Sequence, residues 1–265
     1  MSASAQTDLE LLVQAAREAG ELALEHRRAG LKIWSKGAAG PVTDADLAVD
    51  AFLKERLLGA RPDYGWLSEE TADSTDRLSK ESVFVVDPID GTVAFMKSKP
   101  WWTVALAIVR GGEAVTACIY APVLRESFAA QRGEGATLNG EPIRASDTSD
   151  LDDASMLAEA SLFQRPIWDE AWPAMRFDKR NSIAYRMALV GAGAFDAAMA
   201  LSPKWDWDVA AGELIACEAG AVVSDHKGRP YRFNKFDPRQ ASLVCAAPAL
   251  HPLIVRRCAP ISLPD

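Results

Sequence analysis

The 265-residue sequence is 49% hydrophobic and 25% charged, with a net charge of −8. That balance suits a globular chain large enough for one big domain or two modest ones, and an acidic surface without a basic patch argues against a nucleic-acid polymer as partner. Cys118, Cys217, Cys245 and Cys258 are scattered in apolar contexts, the three histidines (His26, His226, His251) lie far apart, and no apolar run approaches a membrane span. A disulfide framework, a zinc site, a histidine triad and a membrane-spanning protein are therefore disfavoured, and a cytoplasmic location is expected.

In chain order, Leu9, Leu12, Val13, Ala16, Ala19, Leu22 and Ala23 recur at helical spacing and predict an amphipathic opening helix over residues 8–28. Residues 31–34 read as a short strand. The glycine-rich stretch 35–41 then reads as a mobile loop or a plain hairpin connection. Thr43, Asp44 and Asp46 precede a helical face of Leu47, Val49, Phe52, Leu53 and Leu57. Capping needs one such residue, which leaves Asp44 or Asp46 for another role.

A short apolar segment ends in Glu69 and Glu70, and the strand-like Val83, Phe84, Val85 and Val86 run straight into Asp87-Pro88-Ile89-Asp90-Gly91-Thr92. Strands over 103–109, 114–120 and 126–130 make an antiparallel meander. The polar stretch 145–153 is the expected seam between an N-terminal half, 1–148, and a C-terminal half, 149–265. Beyond it the pattern predicts a strand over 155–159, a helix over 168–175, a close-packing small-residue segment over 183–199, a helix entered near Asp208 and stopped by Gly220, and final strands at 221–223 and 242–245.

Four acidic segments thus stand at the ends of apolar elements: Asp46, Glu69, Asp87 with Asp90, and Asp208. Clustered carboxylates are what hard divalent cations need. Gly91 permits close backbone approach, and the next amides and the Thr92 hydroxyl can donate to phosphate oxygens. Taken singly, each segment also has a plainer reading: a strand-ending Asp-Pro turn, a solvated Glu-Glu turn, a helix cap at Asp208. The tryptophans beside Asp208 would exclude water from a charge aimed at a cation.

Taken together, Trp66-Leu67-Ser68-Glu69-Glu70, Asp87-Pro88-Ile89-Asp90-Gly91-Thr92 and Trp207-Asp208-Val209-Ala210-Ala211-Gly212 continuing to Glu218-Ala219-Gly220, with Val42-Thr43-Asp44-Ala45-Asp46 upstream, resemble the signatures of the inositol monophosphatase family of magnesium-dependent, lithium-sensitive phosphomonoesterases. The resemblance implies a five-layered α/β/α/β/α sandwich of mixed α+β and α/β class, with metals at the junction of the two halves. It implies a first Mg²⁺ held by Glu69, Asp87 and the Ile89 carbonyl, and a second held by Asp87, Asp90 and Asp208. Lys36 would lie in the mobile loop near a weaker third position. Asp46 bonded to Thr92 would orient the attacking water, so that Glu69, Asp46 and Thr92 form the catalytic group. Asp90, Gly91, Thr92, Ser182 and Arg186 would meet the substrate.

Departures from the inositol pattern bear on the ester. Leu201 stands where inositol-hydrolysing members carry a sugar-binding glutamate, and Arg186 where related 3′(2′),5′-bisphosphate nucleotidases carry a lysine. An apolar side chain accepts no hydrogen bond from inositol hydroxyls, whereas a forked guanidinium suits a second phosphate. The expected substrate is 3′-phosphoadenosine 5′-phosphate, with Lys204 and Trp205 beside the adenine or Trp205 in the core. Inositol-1-phosphate and other sugar or alcohol phosphates are the alternatives. A catalytically silent regulatory relative would have lost a metal carboxylate, and all five matching acids are present. A small phosphate ester is the expected partner, with no membrane; homodimers are common in the family.

Overall fold

The computed structural model describes residues 6–35, 37 and 40–263. Helix α1 (Asp8–Ala29) opens with a reciprocal cap: the Thr7 hydroxyl accepts from the Glu10 amide at 3.2 Å and the Glu10 carboxylate accepts from the Thr7 amide at 2.9 Å. Strands β1 (Ile33–Ser35) and β2 (Pro41–Thr43) pair antiparallel; residues 36, 38 and 39 of the stretch between them, read as a loop or a hairpin connection, lie outside the described residues. Helix α2 (Asp44–Ala60) follows and packs beside α1.

The main sheet has seven strands in the order β3 (Gly65–Ser68), β4 (Ser82–Asp90), β5 (Thr103–Arg110), β6 (Glu113–Ala121), β7 (Glu126–Gln131), β8 (Ala136–Leu138) and β9 (Glu141–Pro142). Only β3 and β4 run parallel within it. Successive residues of a strand face opposite sides, and β4 uses both. Phe84 and Val86 pack under α1 and α2 with Leu12, Leu53 and Leu106, while Val83 and Val85 face the other way. A short helix, α3 (Thr92–Met96), leaves the end of β4.

On that second side lie α4 (Ile183–Gly191) and α5 (Asp206–Glu218), which also contact the second sheet. This has the order β11 (Arg176–Asp178), β10 (Ser155–Leu157), β12 (Ala197–Ala200), β16 (Leu243–Ala246), β14 (Val222–Ser224), with β10 parallel to both its neighbours. Helix α6 (His251–Cys258) covers its outer face over Met156, Met199 and Val244. A ribbon of β13 (Lys204–Trp205) and β15 (Arg239–Gln240) leads into α5. The layers therefore alternate as helix, sheet, helix, sheet, helix, the architecture expected from the resemblance.

Three expectations change. Residues 168–175 form no helix; Trp168 and Trp172 cluster with Phe163 in irregular chain, and Pro173 lacks the amide a helix would need there. The strand expected over 155–159 ends at Leu157, and the small-residue segment 183–199 divides into α4 and the start of β12. No helix among the described residues is long and apolar enough to cross a membrane.

Candidate active site

The acidic segments meet where β4 ends. In a regular strand, residues 87 and 90 point to opposite faces, because they are an odd number of positions apart. Here Asp87 pairs with Ala105 and Asp90 with Thr103, so β4 carries one extra residue against β5. That bulge restores both carboxylates to one side. Gly91 then turns the chain at φ +94°, and a Cβ there would sit 3.0 Å from the Ser182 amide nitrogen. Only glycine suits both demands.

Asp87 is 1% exposed and accepts a hydrogen bond from the Ile89 amide at 3.1 Å. Burial holds its carboxyl well above the usual range, and repulsion from Glu69, Asp90, Asp208 and Asp46 adds to this. Glu69 follows β3, its amide donating to the Val86 carbonyl at 3.3 Å. Asp46, in the first turn of α2, accepts from the Thr43 amide at 2.8 Å and hydroxyl at 2.6 Å, while the Thr92 hydroxyl lies 3.3 Å from its other oxygen and 3.3 Å from the Ile89 carbonyl. Burial raises Asp46 too. Asp208 sits in the first turn of α5 and accepts from the Trp205 amide at 2.7 Å; burial first, then the neighbouring Asp90, push it up to about 7.

Among the described residues, no three histidine, cysteine or acidic side chains are closed into a preformed cage. Asp46 and Asp208 each accept from donors at the start of their own helix, Thr43 and Trp205. Repulsion from the other four nonetheless bears on Asp87, and Asp90 bears on Asp208. Oxygen donors of this kind, with Asp46, Asp87 and Asp90 buried and Glu69 and Asp208 half-buried, fit a hard divalent cation.

Ser182 was expected at the substrate. It is 0% exposed, and its hydroxyl donates to Asp90 at 2.6 Å, accepts from the Tyr185 amide at 2.9 Å and lies 3.0 Å from the Thr103 hydroxyl. With the Ile183 and Ala184 amides on Asp90 at 3.2 and 2.7 Å, it docks the start of α4 onto the end of β4. Arg186 is 6% exposed, and its Nε donates to the Arg180 carbonyl at 2.6 Å. It lines a cavity of about 270 Å³ with Leu201 and Lys204. A larger cavity, about 420 Å³, opens beside His226, Lys227 and Arg229; none of the five acids lines either cavity, but the smaller one includes Ile183, whose amide donates to Asp90. Trp205 is not core: it is 41% exposed and stacks on Trp207 at 4.9 Å, and Asp208 beneath stays half-buried rather than sealed from water. Lys36 lies outside the described residues.

Two contributors had little sequence signal. Ser182 and Thr103 are 79 positions apart, and no local pattern pairs them. Asp206 caps nothing at Trp205 but accepts from the Asn234 amide at 2.7 Å and Gln240 Nε2 at 2.8 Å, tying the start of α5 to the chain around β15; the doubled Trp-Asp was its only trace.

The chain belongs to the inositol monophosphatase family, a phosphatase family whose model matches residues 4–262. The protein named Nus factor SuhB in Vibrio cholerae is 33% identical over 231 residues, covering 83% of this chain and 85% of that one. Inositol monophosphatase of Dictyostelium discoideum is 33% identical over 258 residues, covering 91% and 90%. Among solved structures, extragenic suppressor protein suhB from Bartonella henselae matches with a TM-score of 0.81 at 28% identity, covering 94% and 96%, and Thermotoga maritima IMPase with 0.80 at 27%, covering 93% and 94%.

Proposed function

We propose that this chain is a cytoplasmic Mg²⁺-dependent phosphomonoesterase that hydrolyses 3′-phosphoadenosine 5′-phosphate to AMP and phosphate. The observation that carries the hydrolase reading is Asp87, buried with its charge opposed by four other carboxylates. Glu69, Asp87 and the Ile89 carbonyl would hold one Mg²⁺, and Asp87, Asp90 and Asp208 a second. Bound there, the cations supply Lewis-acid neutralisation of the phosphate and of the leaving oxygen, and acidify a water.

The chain does the rest. Asp46, braced by Thr43, leaves one oxygen toward the Thr92 hydroxyl, and the two together orient a water and accept its proton at Asp46 Oδ1. Gly91 and Thr92 present backbone amides to the ester phosphate. Ser182 and the first amides of α4 fix the angle of Asp90, and so act on the reaction through it.

Two features favour a bisphosphate over inositol phosphate. Leu201 lines the cavity with no group to bind a sugar hydroxyl, and Arg186 lines it with a buried cation. Phosphate release measured with and without Mg²⁺ tests the class. Asp90→Asn should lower kcat/KM by at least about a hundredfold, the scale of losing one charge-stabilising contact; wild-type turnover in that variant would remove the site assignment. A clear preference for inositol-1-phosphate over the bisphosphate would overturn the choice of ester.

A further inference from the structure

Beside the acidic cluster, the cavity of about 270 Å³ is cationic. Arg186 is at its buried end, Lys204 is half-buried on its wall and Arg165 is exposed at its rim. None of the three has a carboxylate ion-pair partner among the described residues, although this chain carries a net charge of −8. Glu159, the acid lining the same cavity, is held by Lys179 at 2.5 Å.

A guanidinium taken out of water without a hydrogen-bonded counter-charge is costly; Arg186 donates its Nε to a carbonyl, and the carboxylates that act on it, Asp90 and Glu159, lie beyond ion-pair distance. Lys204 is pinned by its own turn: Nζ donates to Ser202 Oγ at 2.8 Å and the Pro203 carbonyl at 3.0 Å. An ammonium has three protons, so one remains to give. The next residue, Trp205, offers its amide to Asp208, which places Lys204 one residue from a contact of the acidic cluster. Both Arg186 and Lys204 sense the charge on Asp90. The cations therefore converge on a space that adjoins the acids, over the apolar side chains of Met199 and Leu201.

We infer that Arg165, Arg186 and Lys204 together seat the second, non-reacting phosphate of the substrate, and that Lys204 is the residue that sets the preference for a bisphosphate over a monophosphate ester. The inference rests on the phosphatase reading above for the position of the reacting phosphate, but not for the existence of the anion seat. A phosphate monoester brings nearly two negative charges and three acceptor oxygens, which matches three cations arranged from floor to rim.

Two measurements test it. With Mg²⁺, Lys204→Met should raise KM for 3′-phosphoadenosine 5′-phosphate about tenfold or more and raise KM for adenosine 3′-phosphate by much less, while Lys204→Arg should keep most of the wild-type KM. With chelator present, AMP should bind the full chain by calorimetry, adenosine should not, and Lys204→Met should weaken AMP about tenfold. Equal effects on both esters, or AMP binding untouched by Lys204→Met, would overturn the seat. If the wild type prefers inositol-1-phosphate while AMP binding still depends on Lys204, the choice of ester falls and the seat stands. If the bisphosphate preference survives in Lys204→Met, the seat alone falls.

Discussion

Asp87 is buried, accepts a hydrogen bond from one backbone amide at 3.1 Å and is opposed by the charge of four other acids. Asparagine keeps the shape and removes the charge. Asp87→Asn should abolish Mg²⁺-dependent turnover, by about a hundredfold or more, yet stabilise the chelated protein by roughly 1 kcal/mol. Thermal melts with and without Mg²⁺ read both: the wild type should gain from the metal and the variant should not. In the folded chain, burial and then the neighbouring Asp90 push the Asp208 carboxyl up to about 7, above the ordinary carboxylate range. The stability linked to it is fully present below about pH 4 and is lost as pH climbs through about 7. Cation binding needs the ionised form, so Mg²⁺ affinity should rise across the same interval while the melting temperature of the chelated protein falls. Calorimetry in buffers of different ionisation heat should show protons released on binding near neutral pH.

At the scale of elements, the site depends on how closely α4 and α5 approach. A Cβ at Gly212 would lie 2.8 Å from Met187 Cβ and 2.9 Å from its sulfur. Gly212→Ala should therefore cost about 1–3 kcal/mol by overpacking, and kcat/KM should fall as well, because α4 carries Arg186 and α5 carries Asp208. Met187→Ala opens room at the same point. The double variant should recover part of both losses, and a double-mutant cycle with no coupling would show that the contact does not matter.

At the scale of the molecule, one buried core runs through both sides of the boundary at 148/149. Val83, Val85 and Phe128 of the main sheet share it with Val209, Leu214 and Leu243. We keep the two halves as a proposed division of the metal ligands, since Glu69, Asp87 and Asp90 precede the boundary and Asp208 follows it. A fragment of residues 1–148 would leave the α5-facing side of the main sheet open to water, so it should fail to give a cooperative thermal transition by circular dichroism, whereas the full chain should melt in one step.

The features legible along the chain were local in origin. Helix α1 follows from the spacing of Leu12, Ala16, Ala19 and Ala23, the meander from its turns, and the acids from their places at the ends of apolar runs. The same kind of reasoning failed over 168–175, where aromatic spacing resembles a helix but the rings pack on one another in irregular chain. Only the tertiary structure decided that a bulge turns Asp87 and Asp90 to one side, that Ser182 serves Asp90, and that Arg165, Arg186 and Lys204 line one cavity. Periodicity reports which way a residue faces along its own element; convergence of groups scores of residues apart is set by how the layers stack, and no short window of sequence contains that information.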